Sequence, residues 1–237
     1  VKIFYLVIGF DIIRESKVIN VLFIFGIAGM IMGSVNAIRA NNINRMIAYS
    51  SVAQIGYIYM GFGLGTTAGI IASIYHIVSH AATKSLLFVA ASGITDASAK
   101  SENFFDLTGA GYRNKLAGAA FTAGSLSMVG FPMFSGFISK LLFSQAAMGN
   151  KHKILITLIA LAISVILNAV YFMKTVIRIY TPEKKEVIID KGFEEISIWE
   201  QPAKSAALIC FIALNLLLGL SSEPVIRLIQ RGLEMFG

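Results

Sequence analysis

Six stretches of this chain are apolar and carry no charge or almost none: Val18–Ile38, Met46–Gly65, Thr66–Thr95, Leu116–Met148, Ile154–Met173 and Ser205–Ser222. A helix needs about 20 such residues to cross the roughly 30 Å hydrocarbon core of a bilayer. Each stretch reaches that length or comes near enough for modest bilayer thinning to suffice. In lipid only α-helices and closed barrels satisfy their backbone amides, and these runs lack the apolar/polar alternation of barrel strands. The sequence therefore predicts an all-α, polytopic transmembrane helical bundle. Composition agrees, with 56% of the 237 residues hydrophobic and 14% charged, where a soluble domain has about 25% charged. A soluble enzyme, a disordered tail and a disulfide scaffold are excluded. The single cysteine, Cys210, lies inside an apolar run and has no partner in the chain.

Val1–Ile13 is too short to span alone and lacks the basic start and cleavage site of a signal peptide. It reads as the second part of a truncated helix, so residues 1–222 are expected to form one transmembrane unit. Residues 223–237 follow as an interfacial helix. There Val225, Ile226, Leu228, Ile229, Leu233 and Phe236 are set against Arg227, Gln230, Arg231 and Glu234. Thr181–Gln201 is a near-neutral polar link and reads as a solvated loop.

The net charge of +7 belongs to the loops and reports orientation, not nucleic-acid binding. Six basic residues (Arg14, Lys17, Lys151, Lys153, Arg227, Arg231) fall on one side of the bundle. Eleven (Arg39, Arg45, Lys100, Arg113, Lys115, Lys174, Arg178, Lys184, Lys185, Lys191, Lys204) fall on the other. The richer side is assigned to the cytoplasm and the C-terminus to the outside. The expected location is the inner cell membrane, crossed several times.

Three lysines remain inside apolar segments: Lys2, Lys84 and Lys140. Each costs about 2.5–3.5 kcal/mol at the centre of a membrane helix. Snorkelling toward an interface is the ordinary alternative, but Lys84 lies deep in its run. His76, His80 and Lys84 recur at i, i+4, i+8, which places all three on one helical stripe about 12 Å long. Imidazole titrates near neutrality, so such a row suits proton relay. The competing readings are satisfied core histidines and half of a metal site. No third ligand and no His-Glu-x-x-His pattern accompany the pair, and no metal is expected.

Lys140 follows Gly130-Phe131-Pro132-Met133-Phe134-Ser135-Gly136. Pro132 removes a helical hydrogen bond, and Gly130 and Gly136 permit an unwound link, so one broken helix is expected here. Broken helices at membrane depth line polar cavities or are buried in protein; a plain proline kink is the alternative. Gly61-Phe62-Gly63-Leu64-Gly65 lacks the context of a nucleotide loop and reads as a turn between spans. Gln54, Asn168 and Tyr171 are polar residues in apolar helices, suited to ordering water or to interhelical hydrogen bonds.

These residues resemble the proton-conducting, antiporter-like membrane subunits of respiratory complex I, Mrp-type sodium/proton antiporters and membrane-bound hydrogenases. Asn42-Ile43-Asn44-Arg45-Met46-Ile47-Ala48-Tyr49-Ser50-Ser51, followed by Gln54-Ile55-Gly56-Tyr57, resembles the family's Asp-Ile-Lys-Arg-x-x-Ala-Tyr-Ser-Ser helix start. The stretch from His76 through Lys84 to Phe88 resembles its central proton-transfer helix. Gly130 to Lys140 resembles its broken helix, and Asp106-Leu107-x-Gly109 the loop joining the two. The chain departs from the pattern at Asn42, Asn44 and Met133, and Tyr5 falls one residue early after Lys2.

The resemblance implies the C-terminal part of such a subunit, holding one half-channel of two. Its five-helix unit would run from Val18 to Tyr180, with Ser205–Ser222 as the final helix. It further implies a relay in which Lys84 holds a proton, His80 and His76 extend the path, and Lys140 passes it toward the outer phase, with Lys2 as a further member. The implied partners are other membrane subunits, the lipid bilayer and protons. No nicotinamide, flavin, quinone or iron–sulfur motif is present, so no cofactor and no redox chemistry are expected in this chain. Two readings compete: a sodium/proton antiporter subunit without a redox partner, toward which Gly136–Lys140 and Ser222-Glu223-Pro224 lean, and a non-transporting membrane scaffold.

Overall fold

A computed structural model of the chain describes residues 17–182 and 192–234. Lys2 and Val1–Ile13 lie outside these residues, as do 183–191 and 235–237. Helices α1 (Val18–Arg39) and α2 (Ile43–Gly63) form an antiparallel hairpin. Gly26, Gly33 and Gly56 let their backbones touch: a Cβ on Gly33 would run into the backbone nitrogen of Ala53, and one on Gly26 into that of Met60. Small residues serve this purpose in membranes, where lipid is as apolar as leucine and close packing drives association. Helix α3 (Thr67–Asp96) is capped by Thr66, whose hydroxyl accepts the Gly69 N–H at 3.0 Å. Its 30 residues make it about 45 Å long.

A loop and the single turn α4 (Ala110–Arg113) lead into α5 (Lys115–Val129) and α6 (Ser135–Met148). These are followed by α7 (Ile154–Ile179), α8 (Pro202–Leu220) and α9 (Glu223–Glu234). Four of these helices, α1, α3, α7 and α8, are each long and apolar enough to cross a membrane. The two other expected spans depart from that standard for identifiable reasons. Asn44, Arg45, Ser50, Ser51 and Gln54 lower the hydropathy of α2, and the Leu116–Met148 run is divided into helices of 15 and 14 residues.

That division is the expected break. Gly130 ends α5 in the left-handed region at φ 98°, its N–H returned to the Leu126 carbonyl at 3.0 Å. Pro132 has no N–H to continue the helix. Met133 sits at φ 81°, where a side chain costs about 1–2 kcal/mol. Gly136, in the first turn of α6, lies directly on the Ser127 carbonyl, with no room for a Cβ.

Arg113, counted among the eleven basic residues of one side, is buried within the loops of that end. It is 4% exposed and donates to the carbonyls of Ala97 and Thr108 and to Ser98 Oγ, each at 2.9 Å. Phe193 from the 192–201 link covers its guanidinium at 4.4 Å. The loops at this end are thereby tied together.

The apolar core is in two parts. Toward the Arg39 end lie Ile47, Leu86, Leu87, Phe121 and Phe172; toward the Lys153 end lie Phe23, Met60, Phe143 and Leu161. Between them, α2, α3 and α7 place polar residues at the same level: Ser50 and Gln54, His76 to Lys84, and Ser164 and Asn168. The break enters this band from the side.

Outside the bundle, Asn42 caps α2 by accepting the Arg45 N–H and donates its own amide to Glu102 at 2.5 Å. The side chains of Asn42 and then Asn44 hold the Glu102 carboxyl below the usual carboxylate range. A depressed folded-state pKa contributes stability that is present at neutral pH and lost as pH falls through the carboxylate range. Glu102→Gln is therefore expected to flatten the acid limb of a thermal-stability profile slightly, since the site is exposed. An unchanged limb would show that the tie carries no stability.

Candidate proton-transfer site

The histidine–lysine stripe forms as the spacing predicts, but its members face different neighbours. His76 is buried between two rings: Tyr57 stacks on it at 5.3 Å between centroids and His80 at 6.0 Å, with interplanar angles of 29° and 11°. Its Nδ1 lies 2.5 Å from Ser139 Oγ, on the residue before Lys140. Phe143 closes the edge at 5.5 Å.

Lys84 extends to α2. Its amine donates to the Ile47 carbonyl at 2.7 Å and to Ser50 Oγ, both on α2. The Ile47 carbonyl, four residues from the start of the helix, is about 6 Å from that end. Lys84 is 7% exposed.

Lys140 is held by the break itself. Its amine donates to the Met128 carbonyl at 2.9 Å, one of the last carbonyls of α5, which have no helical partner. Its methylenes lie across Gly130, where a Cβ would come within 2.8 Å of Cδ, so the glycine makes space for the lysine. The amine is also 5.7 Å from the centre of the Tyr57 ring. Tyr57 thus touches both His76 and Lys140. Lys140 is half-buried, and neither amine has an acidic partner among the described residues.

A second set of groups lies between the two lysines. Tyr171 donates to Asn168 Oδ1 at 2.5 Å, and Asn168 Nδ2 reaches the Met128 carbonyl at 3.5 Å. Ser50 and Ser34 lie near the Tyr171 hydroxyl, and Ser34 Oγ has no hydrogen-bond partner. The hydrogen bonds form two sets, Lys84 with Ser50 on α2, and Tyr171 and Asn168 of α7 with Met128 and Lys140 at the break, which approach each other near Ser50 and Tyr171. Tyr171 also lines a cavity of about 390 Å³ at the Arg39 end, with Asn41, Met46, Asn103, Lys174 and Arg178.

Sequence spacing singled out Lys84, His80, His76, Lys140, Gly130, Pro132 and Gly136, and the structure gathers them around one polar band. Lys2 lies outside the described residues. Ser50, Ser139 and Asn215 were missed. Serine and asparagine are common in membrane helices, and only a contact distinguishes one that meets a lysine. The described His, Cys, Asp and Glu residues form no group of three that could hold a metal.

The NADH-quinone oxidoreductase subunit N of Desulforudis audaxviator is 33% identical to this chain over 165 residues, covering 70% of the chain and 32% of that protein. Subunit N of Flavobacterium johnsoniae is 32% identical over 216 residues, covering 89% and 43%. Among solved structures, the membrane-bound sulfane sulfur reductase, an archaeal respiratory membrane complex, matches with a TM-score of 0.78 at 25% identity, covering 92% of this chain and 42% of that one. The Mrp complex from Dietzia sp. DQ12-45-1b shares the fold, with a TM-score of 0.79 at 21% identity over 94% of this chain and 49% of that one. The chain spans about a third to two-fifths of the length of these curated relatives. Residues 2–166 match the family described as NADH:quinone oxidoreductase/Mrp antiporter, transmembrane, and the chain belongs to that family.

Proposed function

We propose that this chain is part of a proton-translocating membrane subunit of a complex I-like or Mrp-type assembly, set among other membrane subunits in the inner cell membrane. The observation that carries the reading is the pair of amines inside the bundle, Lys84 buried and Lys140 half-buried, each held by a backbone carbonyl. An ammonium in hydrocarbon costs about 2.5–3.5 kcal/mol. A packing role gives no reason to retain that cost twice, whereas proton transfer requires groups that gain and lose charge inside the bundle.

Protons enter from the Arg39 end, the proposed cytoplasmic side, through the cavity that reaches Tyr171. Lys84 takes up a proton beside Ser50. His80 and His76 carry it along α3 to Ser139 and Lys140, and Lys140 delivers it toward the outer phase. Gln54 Nε2, Tyr57 Oη, His76 Nε2, His80 Nε2 and Ser164 Oγ are buried without a direct partner. Each such atom costs about 1–3 kcal/mol if left dry, so a line of them supports ordered water between the side chains. Helix α9, none of whose described residues is buried, lies along the outer membrane surface with Leu228 and Ile229 toward lipid.

Lys140→Gln tests the exit step. In everted vesicles carrying the complete assembly, proton movement is expected to fall about tenfold or more, the low end of what a positioned proton-transfer group supplies. It is expected to be equally fast in sodium and potassium media. Wild-type rates in the variant would remove Lys140 from the path, and a ΔpH that forms only with sodium would favour the antiporter reading.

A further inference from the structure

Asn215 stands in the middle of α8, fully buried in an otherwise apolar run. Its Oδ1 accepts from Ser127 Oγ on α5 and from Ser135 Oγ on α6, both at 2.8 Å. Its Nδ2 donates to Thr83 Oγ1 on α3 at 2.8 Å. One amide therefore ties both halves of the broken helix to the helix that carries the histidines and Lys84. Elsewhere along α8 the same neighbours are held again: Tyr75 donates to the Leu218 carbonyl at 2.6 Å, and Gly219 lies on the Met133 carbonyl with no room for a Cβ.

The direction of the donors shows what this cluster does. Ser79 donates to Ser135, Ser135 and Ser127 donate to Asn215, and Thr83 donates to the Ser79 carbonyl. The serine protons end on one amide oxygen, an acceptor with no proton of its own to pass on. The remaining hydroxyl contacts of the cluster, Thr83 with Ser127 at 3.3 Å and Ser127 with Ser135 at 3.4 Å, are longer, so Asn215 is its strongest tie. The neighbouring stripe of α3 differs, since His76 and His80 each keep a buried nitrogen without a partner. One side of the break is thus a fixed joint and the other is open to exchange.

We infer that Asn215 is a positioning residue for proton transfer. It fixes the break against α3, so that Ser139 stays opposite His76 and Lys140 stays at the Met128 carbonyl. The inference rests on the relay proposed above. It concerns a helix beyond the matched family region, which ends at residue 166.

The test uses everted vesicles with the complete assembly and measures proton movement against pH. Asn215→Leu keeps the volume and removes all three hydrogen bonds. It is expected to slow proton movement by about tenfold, within the loss that displacement of a reacting group by ~1 Å produces, and to displace the pH midpoint by about one unit. Asn215→Asp, which retains the acceptor oxygen, is expected to restore the rate to within about threefold and the midpoint to near the wild-type value. A leucine variant with a wild-type rate and midpoint overturns the inference. So does a reduced rate with an unmoved midpoint, because loss of folded subunit alone gives that result. If the leucine variant does not assemble, Ser127→Ala/Ser135→Ala carries the same test with the same criteria. Unchanged pumping after loss of Lys84 sinks the relay itself, whereas loss with Lys84 variants and none at Asn215 sinks only the positioning role.

Discussion

Replacing Lys84 by methionine is expected to stop proton movement in the complete assembly while leaving the subunit folded and in place. Loss of a positioned proton-transfer group costs about 10²–10⁴-fold in rate, and no other described amine reaches the Ile47 carbonyl and Ser50. The fold should survive because the groups left behind keep partners. Ser50 Oγ still donates to the Ile47 carbonyl at 2.8 Å, and methionine fills most of the lysine's volume without a charge. Removing the ammonium also relieves a cost of about 2.5–3.5 kcal/mol to membrane insertion, so the variant should accumulate at least as well as wild type. The measurement is acidification of everted vesicles, normalised to subunit content. Normal acidification at normal content would leave Lys84 as a structural lysine and end the relay.

The second large effect belongs to Gly136, and it concerns assembly. A Cβ there would overlap the Ser127 carbonyl, so Gly136→Leu must push α6 away from α5. Overpacking of this kind costs about 1–3 kcal/mol, occasionally more, and leucine at a backbone contact belongs at the upper end. Losses of that size lower cellular abundance several-fold. A fall in membrane-embedded subunit of about fivefold or more is expected, read by quantitative blotting of washed membranes. The surviving fraction should also pump poorly, because the same shift carries Ser139 and Lys140 away from His76 and Met128. Wild-type abundance would mean that the two half-helices are not pressed together at this point.

The fold was legible because the forces behind it are written locally. Runs of about 20 apolar residues can only be helices in lipid, and Gly130 with Pro132 breaks one of them by simple stereochemistry. The stripe of His76, His80 and Lys84 was legible for the same reason, since period 3.6 fixes which residues share a face. Periodicity did not reveal where the end of a long side chain goes. Lys84 shares a stripe with His80, yet four flexible methylenes carry its amine to α2. Ser50, Ser139 and Asn215 gain their roles from partners 34, 63 and up to 132 residues away in the chain, a relation no local pattern encodes. The burial of Arg113 was unreadable for the same reason, since the carbonyls that hold it come from Ala97 and Thr108 and the ring that covers it from Phe193.

The division of the apolar core into two layers has an electrical consequence. Each layer is a slab of low dielectric, whereas the hydroxyls, amides and imidazoles between them form a more polarisable sheet. Most of the membrane voltage therefore drops across the slabs. A proton moving the roughly 12 Å along α3 within the sheet does less work against the field than one moving that far through a slab. A proton crossing a slab does work of up to ~2.3 kcal/mol per 100 mV for the full membrane thickness. Such a bundle insulates at both faces, so a voltage across the membrane should act more strongly on a proton crossing either slab than on one moving the same distance within the polar band.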